Sequence, residues 1–304
     1  MDARGQLPDA AHQTTARWPP VQDQPGVREG ALTPAGPAAP AFTALVLAGT
    51  RATGDPLAAA AGVAHKALVT VGGVPMLARV LDALHGAASV RRVIICGMAP
   101  DLADRDPVLR EIGATRALEL TPGGTSPAAS VALAIETLAL EPPLLITTAD
   151  HPLLTAATSD EFCAGSRTAT VDVTFGVAPA ERVAAAFPGV RRTHYRFRDG
   201  AFCGCNLYAF LTAAGCAAPG LWRRVEQFRK RPWRMVSLLG PLVLIRFLLG
   251  RLSLADLTAL LRTRFGLRAH PVHLSAASAG FDVDTVEQRR VADAYLRRGA
   301  AIRS

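Results

Sequence analysis

Thr43-Ala44-Leu45-Val46-Leu47-Ala48-Gly49 is the stretch on which the fold turns, an apolar run that closes on a glycine. A strand with one wet face alternates apolar and polar residues, whereas a run with no polar interruption is covered on both faces, as inside a parallel sheet. The glycine opens a loop at the carboxyl end of that strand, the edge at which open α/β sheets bind ligands. The same signature returns at Val93-Ile94-Ile95-Cys96 and at Leu144-Leu145-Ile146-Thr147-Thr148. Helical patterns lie between. After a loop over 50–74, Pro75 is placed at a first helical position, with Met76, Leu77, Val80, Leu81 and Leu84 at helical spacing behind it. Ser126-Pro127 reads as the N-cap and first residue of a helix through Val131, Ile135 and Leu138. Buried strands alternating with amphipathic helices predict βαβ units, right-handed crossovers and a parallel sheet.

The second half has a different texture. Residues 171–177, 202–208 and 271–274 read as strands, and 221–266 as helical, with Trp222, Val225 and Phe228 on one stripe. Ser253-Leu254-Ala255-Asp256 resembles a capping box, and Gly266 is placed to end that helix. A last helix starts at Thr285, whose partner Gln288 completes a second capping box, and stops near Gly299. Residues 1–41, rich in Pro, Ala, Gly, Gln and Thr without apolar periodicity, predict a disordered tail, which leaves 42–304 as the folded domain.

Half of the 304 residues are hydrophobic, enough for a substantial core, and 33 Lys plus Arg against 25 Asp plus Glu give a formal charge of +8. That balance suits a polyanionic ligand or an acidic membrane surface. No basic helix, zinc-finger spacing or aromatic-and-Arg strand pattern accompanies it, so nucleic acid is not an expected partner. The five cysteines, Cys96, Cys163, Cys203, Cys205 and Cys216, form neither a CxxC pair nor a zinc framework, and the N-terminus has no continuous apolar core for export. A reduced, cytoplasmic location follows. Residues 222–251 combine Arg223, Arg224, Arg229, Lys230, Arg231 and Arg234 with Trp222, Phe228, Trp233 and a run of aliphatics. This composition fits peripheral contact with an anionic membrane, or an apolar face packed on the sheet or on a second subunit in a homodimer.

Three segments at strand-to-loop junctions carry chemistry. In the first, Leu47-Ala48-Gly49-Thr50-Arg51 is followed by Lys66; the glycine lets backbone approach a phosphate, and Arg51 and Lys66 offer charge to a triphosphate. In the second, Asp150 follows an apolar strand and begins Asp150-His151-Pro152-Leu153; a carboxylate there can hold magnesium beside a phosphate, while His151 is expected to pack or bond locally. In the third, Gly280-Phe281-Asp282-Val283-Asp284-Thr285 supplies a second carboxylate, either Asp282 or Asp284, which alternate along an extended chain. No GxGxxG follows the first strand, no GxxxxGK[ST] occurs, and Ser126 lacks a GxSxG elbow, so dehydrogenase, P-loop and serine-nucleophile readings lose their support.

Taken in order, Leu47-Ala48-Gly49 with Lys66, Asp150-His151-Pro152-Leu153 and Asp282-Val283-Asp284-Thr285 resemble the motifs of the MobA-like nucleotidyltransferases, over about residues 43–296. The resemblance implies a Rossmann-like, mostly parallel sheet flanked by helices, of the nucleotide-diphospho-sugar transferase type, with a helical insertion at about 221–266. It also implies an Mg²⁺-dependent transfer of NMP from an NTP, CTP or GTP, to a small phosphorylated acceptor with release of pyrophosphate. Lys66 would contact a phosphate, Asp150 and Asp284 would hold Mg²⁺, and Gly123, Gly124, Thr125 and Ser126 would line the base pocket. Gly204-Cys205-Asn206-Leu207 resembles the acceptor-side strand, with Asn206 toward the second substrate. Thr50 stands where the family carries a second glycine, and residues 52–64 lengthen the spacing to the lysine. A regulatory protein that binds a nucleotide without turnover is the alternative; retention of both Asp150 and Asp284 favours the enzyme.

Overall fold

The computed structural model describes residues 41–49, 54–190, 192–228 and 240–301. The strands, in chain order, are β1 (Phe42–Leu47), β2 (Thr70–Val71), β3 (Val74–Pro75), β4 (Val90–Cys96), β5 (Leu120–Thr121), β6 (Leu144–Thr148), β7 (Val173–Pro179), β8 (Tyr195–Phe197), β9 (Gly200–Phe210) and β10 (Ala269–His273). The helices are α1 (Pro56–Ala61), α2 (Met76–His85), α3 (Leu102–Arg105), α4 (Pro107–Gly113), α5 (Pro127–Thr137), α6 (Ala156–Arg167), α7 (Ala180–Ala186), α8 (Ala213–Cys216), α9 (Ala218–Phe228), α10 (Pro241–Leu248), α11 (Leu254–Phe265) and α12 (Val286–Ala301).

The apolar runs become the centre of an eight-stranded sheet, ordered β10-β7-β9-β6-β1-β4-β5, with β8 paired to β9. β1 lies parallel to both β4 and β6, and β4 to β5. Successive β1 residues serve opposite faces, as the strand period requires. Ala44 and Val46 belong to one core with α2, α6 and Ala292 of the last helix, whereas Leu45 belongs to another with Ile94, Leu144 and Val131 of α5. Full burial of a side chain the size of Leu45 or Val46 contributes about 1.5–3 kcal/mol. This two-sided cover is why the strand shows no polar alternation.

Register sets where the chemistry lies. Leu47 is level with Cys96 on one side and Thr148 on the other, and Cys96 is level with Thr121. Four parallel strands therefore stop together, and the residues that follow them share one edge.

The structure departs from the sequence reading in several places. The stretch expected as a loop over 50–74 contains α1, capped by Asp55 and closed by Gly62 in the left-handed region, together with the β2–β3 hairpin. Pro75 ends β3 and is the N-cap of α2, not its first helical residue. β9 is longer than expected and antiparallel to both β6 and β7, so the sheet is mixed. Gly299 lies inside α12. Within the expected helical insertion, α9, α10 and α11 are separate helices; Ser253 and Asp256 form the reciprocal cap of α11, and Gly266 closes it at φ 66. The expected tail, apart from Ala41, and residues 229–239 lie outside the described residues. Among the described residues no helix is long and apolar enough to cross a membrane.

Candidate active site

Asp150 stands two residues beyond β6. Its neighbour Ala149 extends the ladder by donating its N–H to the Leu47 carbonyl at 2.9 Å, and the Asp150 carbonyl accepts from Val283 N–H, also at 2.9 Å. The loop before α12 is thereby stitched to the end of β6. Lys66 opens a short 3₁₀ turn whose next residues, Ala67 and Leu68, are buried and anchor it. From there its Nζ donates to Asp150 Oδ2 at 2.6 Å and to Asp284 Oδ1 at 2.5 Å. Burial opposes the charge of Lys66, but the two carboxylates outweigh it and raise its pKa above the ordinary lysine value.

One ammonium between two carboxylates leaves a net negative cluster. The second oxygen of Asp150, Oδ1, is buried without a hydrogen-bond partner; the hydroxyls of Thr147 and Thr148, on opposite faces of the end of β6, are unpaired as well. Buried polar atoms are ordinarily paired, so an unpaired carboxylate oxygen at the carboxyl edge of the sheet is open to a ligand. Carboxylate oxygens are hard donors suited to Mg²⁺, which is usually held by one or two carboxylates, with waters and substrate phosphates supplying the rest. Among the described residues no group of three or more His, Cys, Asp or Glu side chains is gathered as a protein-only metal site.

Asp282 is engaged elsewhere. Arg192 pairs with its carboxylate and donates to the carbonyls of Asp282 and Gly280, each at 2.9 Å, with the guanidinium 5.0 Å over the Phe281 ring. Asn206 Nδ2 donates to Asp282 Oδ2 at 2.8 Å. Asn206 reaches it from a left-handed conformation, φ 50, which asparagine tolerates better than most residues. The two alternating aspartates thus have different partners: Asp284 meets Lys66, and Asp282 meets Arg192 and Asn206. His151 is 1% exposed and bonded through Nε2 to the Ser278 carbonyl at 3.3 Å; burial lowers its pKa, so it is a neutral packing residue.

On the other side of Asp150 the edge is made of backbone. A Cβ on Gly97 would lie 2.5 Å from the Gly49 nitrogen, and one on Gly123 would lie 2.7 Å from the Gly97 Cα. The loops after β1, β4 and β5 therefore touch through three glycines, a low floor from Gly123 to Gly49 that ends at Asp150. Gly124 and Thr125 are exposed beyond it. Gly124 N–H donates to Ser130 Oγ at 3.0 Å, and Ser126 caps α5 by accepting from Ala129 N–H at 3.3 Å. Arg51 lies outside the described residues. Two members of the site were not singled out from sequence, Arg192 and Gly97. Gly97 carried the same signal as Gly49, a glycine ending a buried strand; Arg192 sits in a loop with no pattern to mark it. The cysteines take no part, since burial pushes the thiols of Cys96 and Cys163 up to about 12.

A family model described as the MobA-like NTP transferase domain matches residues 44–298. Among solved structures, a hypothetical transferase from Thermus thermophilus is 32% identical, with 82% of this chain and 99% of that one covered and a TM-score of 0.68. The 4-diphosphocytidyl-2C-methyl-D-erythritol synthase of Anaerococcus prevotii is 14% identical over 86% of this chain and 100% of its own, with a TM-score of 0.49. A CMP:2-keto-3-deoxy-manno-octonic acid synthetase complexed with CTP is likewise 14% identical, over 85% and 98%, with a TM-score of 0.49. No curated protein matches the chain.

Proposed function

The chain belongs to the MobA-like NTP transferase family and is a nucleotidyltransferase, and from that premise we propose that it transfers NMP from CTP or GTP to a small phosphorylated acceptor in an Mg²⁺-dependent reaction. The observation that carries this reading is Lys66 held between Asp150 and Asp284, beside an unpartnered Asp150 oxygen. A triphosphate is repelled by a net negative cluster, so a divalent cation is what reconciles the two. Asp150 and Asp284 would hold Mg²⁺, with Asp282 as the alternative second ligand; the ion would neutralise charge on the α-phosphate and the acceptor.

The chain's own residues do the positioning. Gly49, with Leu47 and Ala48 behind it, and Gly97 let the triphosphate lie against backbone, and Gly123, Gly124, Thr125 and Ser126 offer the base a backbone edge. Lys66 neutralises phosphate oxygens. Arg192 and Asn206 fix Asp282 on the acceptor side. An oxygen of the acceptor phosphate, already anionic, attacks the α-phosphorus; the bond to the bridging oxygen of the β-phosphate breaks in line, and pyrophosphate leaves with that electron pair. Neither a protein nucleophile nor a general base is required. Asp150→Asn should lower pyrophosphate release at least about 100-fold, within the range for losing a charge stabiliser, without altering the circular dichroism spectrum. Unchanged release from a screen of NTPs and phosphorylated acceptors would remove Asp150 from this role.

A second reading concerns location. Leu242, Ile245, Leu248 and Leu249 of α10 and its C-cap are 74, 51, 73 and 61% exposed, on a segment that also carries Arg246 and Arg251. Exposed aliphatics beside arginines support peripheral contact with an anionic membrane within 222–251. Flotation with phosphatidylserine vesicles at low salt, weakened by Leu242→Asp with Leu248→Asp, is the expected result. Failure to float, with a dimer in solution that the same changes dissociate, would assign the face to a second copy.

A further inference from the structure

Asp284 reaches Lys66 from a stretch that has no regular structure of its own. Residues 281–285, between a 3₁₀ turn over Ala277–Gly280 and α12, are neither helix nor strand, and the Asp284 side chain is 54% exposed. Such a segment keeps a carboxylate in place only if other elements hold it. On the helix side Asp284 N–H donates to Gln288 Oε1 at 2.7 Å, which ties it to the first turn of α12. On the other side Phe281 and Val283 are fully buried, and Val283 N–H is bonded to the Asp150 carbonyl. The remaining hold is Arg192, from the loop between α7 and β8.

One guanidinium engages three successive residues. Arg192 Nη1 donates to the Asp282 carbonyl and pairs with Asp282 Oδ1, Nη2 donates to the Gly280 carbonyl, and the group lies over the Phe281 ring between them. Asn206 takes the other oxygen of Asp282, so both carboxylate oxygens already have partners. The segment is also seated closely: a Cβ on Gly280 would lie 2.9 Å from Val183 Cγ2 of α7 and 3.3 Å from Cys203 Cβ of β9. An ion pair this far out of water adds little stability over apolar residues of the same size, whereas the planar fork of arginine fixes direction as well as distance. Charge and geometry here make opposite demands. A guanidinium near a cation site repels the cation, so on Coulomb grounds its removal would tighten metal binding; if it holds a metal ligand in place, its removal loosens metal binding.

We propose that Arg192 is a positioning residue for the metal: with Asn206 it clamps Asp282 so that Asp284, two residues on, is presented beside Asp150, which makes Asp284 and not Asp282 the second ligand. This role rests on the Mg²⁺ reading of Asp150, and it is tested by metal binding rather than turnover. The full chain is titrated with Mn²⁺ in the presence of α,β-methylene CTP or GTP, and free Mn²⁺ is followed by electron paramagnetic resonance. Arg192→Met should weaken Mn²⁺ binding by about tenfold or more, although it removes a positive charge. Arg192→Lys keeps the charge without the fork and should weaken it too, and it serves where the circular dichroism spectrum shows that the methionine variant does not fold. Asp284→Asn should weaken Mn²⁺ binding more than Asp282→Asn. Adding Arg192→Met to Asp284→Asn should then change the affinity by less than about twofold, because the clamp acts through that carboxylate. A purely structural arginine would leave the metal affinity of the folded chain unmoved. Unchanged or tighter Mn²⁺ binding in either folded Arg192 variant overturns the proposal, as do effects of Arg192→Met and Asp284→Asn that add in full. A wild-type chain that takes up no Mn²⁺ with either nucleotide overturns it together with the metal reading of Asp150, whereas normal uptake with insensitive Arg192 variants counts against Arg192 alone.

Discussion

Gly97 shows how much a single missing Cβ contributes at the catalytic edge. Its φ of 105 lies where L side chains are disfavoured, and a methyl group would press on the Gly49 nitrogen. Strain of this kind costs roughly 1–3 kcal/mol before the steric push is added. Gly97→Ala should therefore lower stability by at least about 2 kcal/mol and weaken NTP binding, measured by urea denaturation and nucleotide titration. Gly123→Ala carries no positive φ and should separate the two effects, because it moves the floor without the backbone strain. Unaltered NTP affinity in both would mean that the floor does not meet the triphosphate. At this scale the sequence was readable where a residue type does one thing in one place: an aspartate after a buried strand, a glycine after another, a lysine between. Arg192 was not readable, because its importance lies in contacts to Asp282 and Gly280, some ninety positions away. Nor could the choice between Asp282 and Asp284 be made, since alternation fixes a direction but not the partner waiting there.

Among the elements, the parallel strands were legible because burial on both faces erases polar alternation, a local property. The antiparallel insertion of β9 between β6 and β7 was not, because strand neighbours are set by distant pairing. The small elements between β1 and α2 were hidden for the opposite reason: each is too short to build a period, and only local signals mark them, the caps at Asp55 and Gly62 for α1 and the Gly72-Gly73 turn, both residues at positive φ, for the β2–β3 hairpin. The entries to β7 and β10 are held together by Asp172, whose carboxylate accepts from the Arg268 side chain at 2.8 and 3.0 Å and from Thr212 Oγ1 at 2.8 Å. Bonding to Arg268, opposed by burial, holds the Asp172 carboxyl well below the usual carboxylate range. A depressed carboxyl pKa means that the unfolded chain takes up the proton first. The stabilisation is therefore complete above the ordinary aspartate pKa of about 4, and is lost as pH falls through the lower folded value. Asp172→Asn should lower the unfolding midpoint at pH 7, and the gap from wild type should narrow progressively below pH about 4. A gap that stays constant down to the acid limit would mean that the pair's charge contributes nothing.

The whole molecule sets a basic chain against a negative centre. The formal charge is +8, yet at the carboxyl edge one lysine faces two aspartates, with Arg192 and Asp282 cancelling beside them. Long-range attraction brings a polyanion toward the protein, whereas the cluster at the end of β6 repels it at contact. Binding should therefore depend on two ligands together. Anything that binds only the folded state raises stability by RT ln(1 + [L]/Kd), about 2.7 kcal/mol at a hundredfold excess over Kd. NTP with EDTA should shift the melting temperature little, Mg²⁺ alone should also shift it little, and the pair should shift it by more than the sum. In Asp150→Asn the centre loses a negative charge, so the metal-free shift with NTP should grow while the extra gain from Mg²⁺ shrinks. That reversal separates electrostatic repulsion at Asp150 from a merely structural role, for which both shifts would fall together. If NTP stabilises the wild-type protein equally with Mg²⁺ and with EDTA, the carboxylates do not meet the triphosphate through a cation.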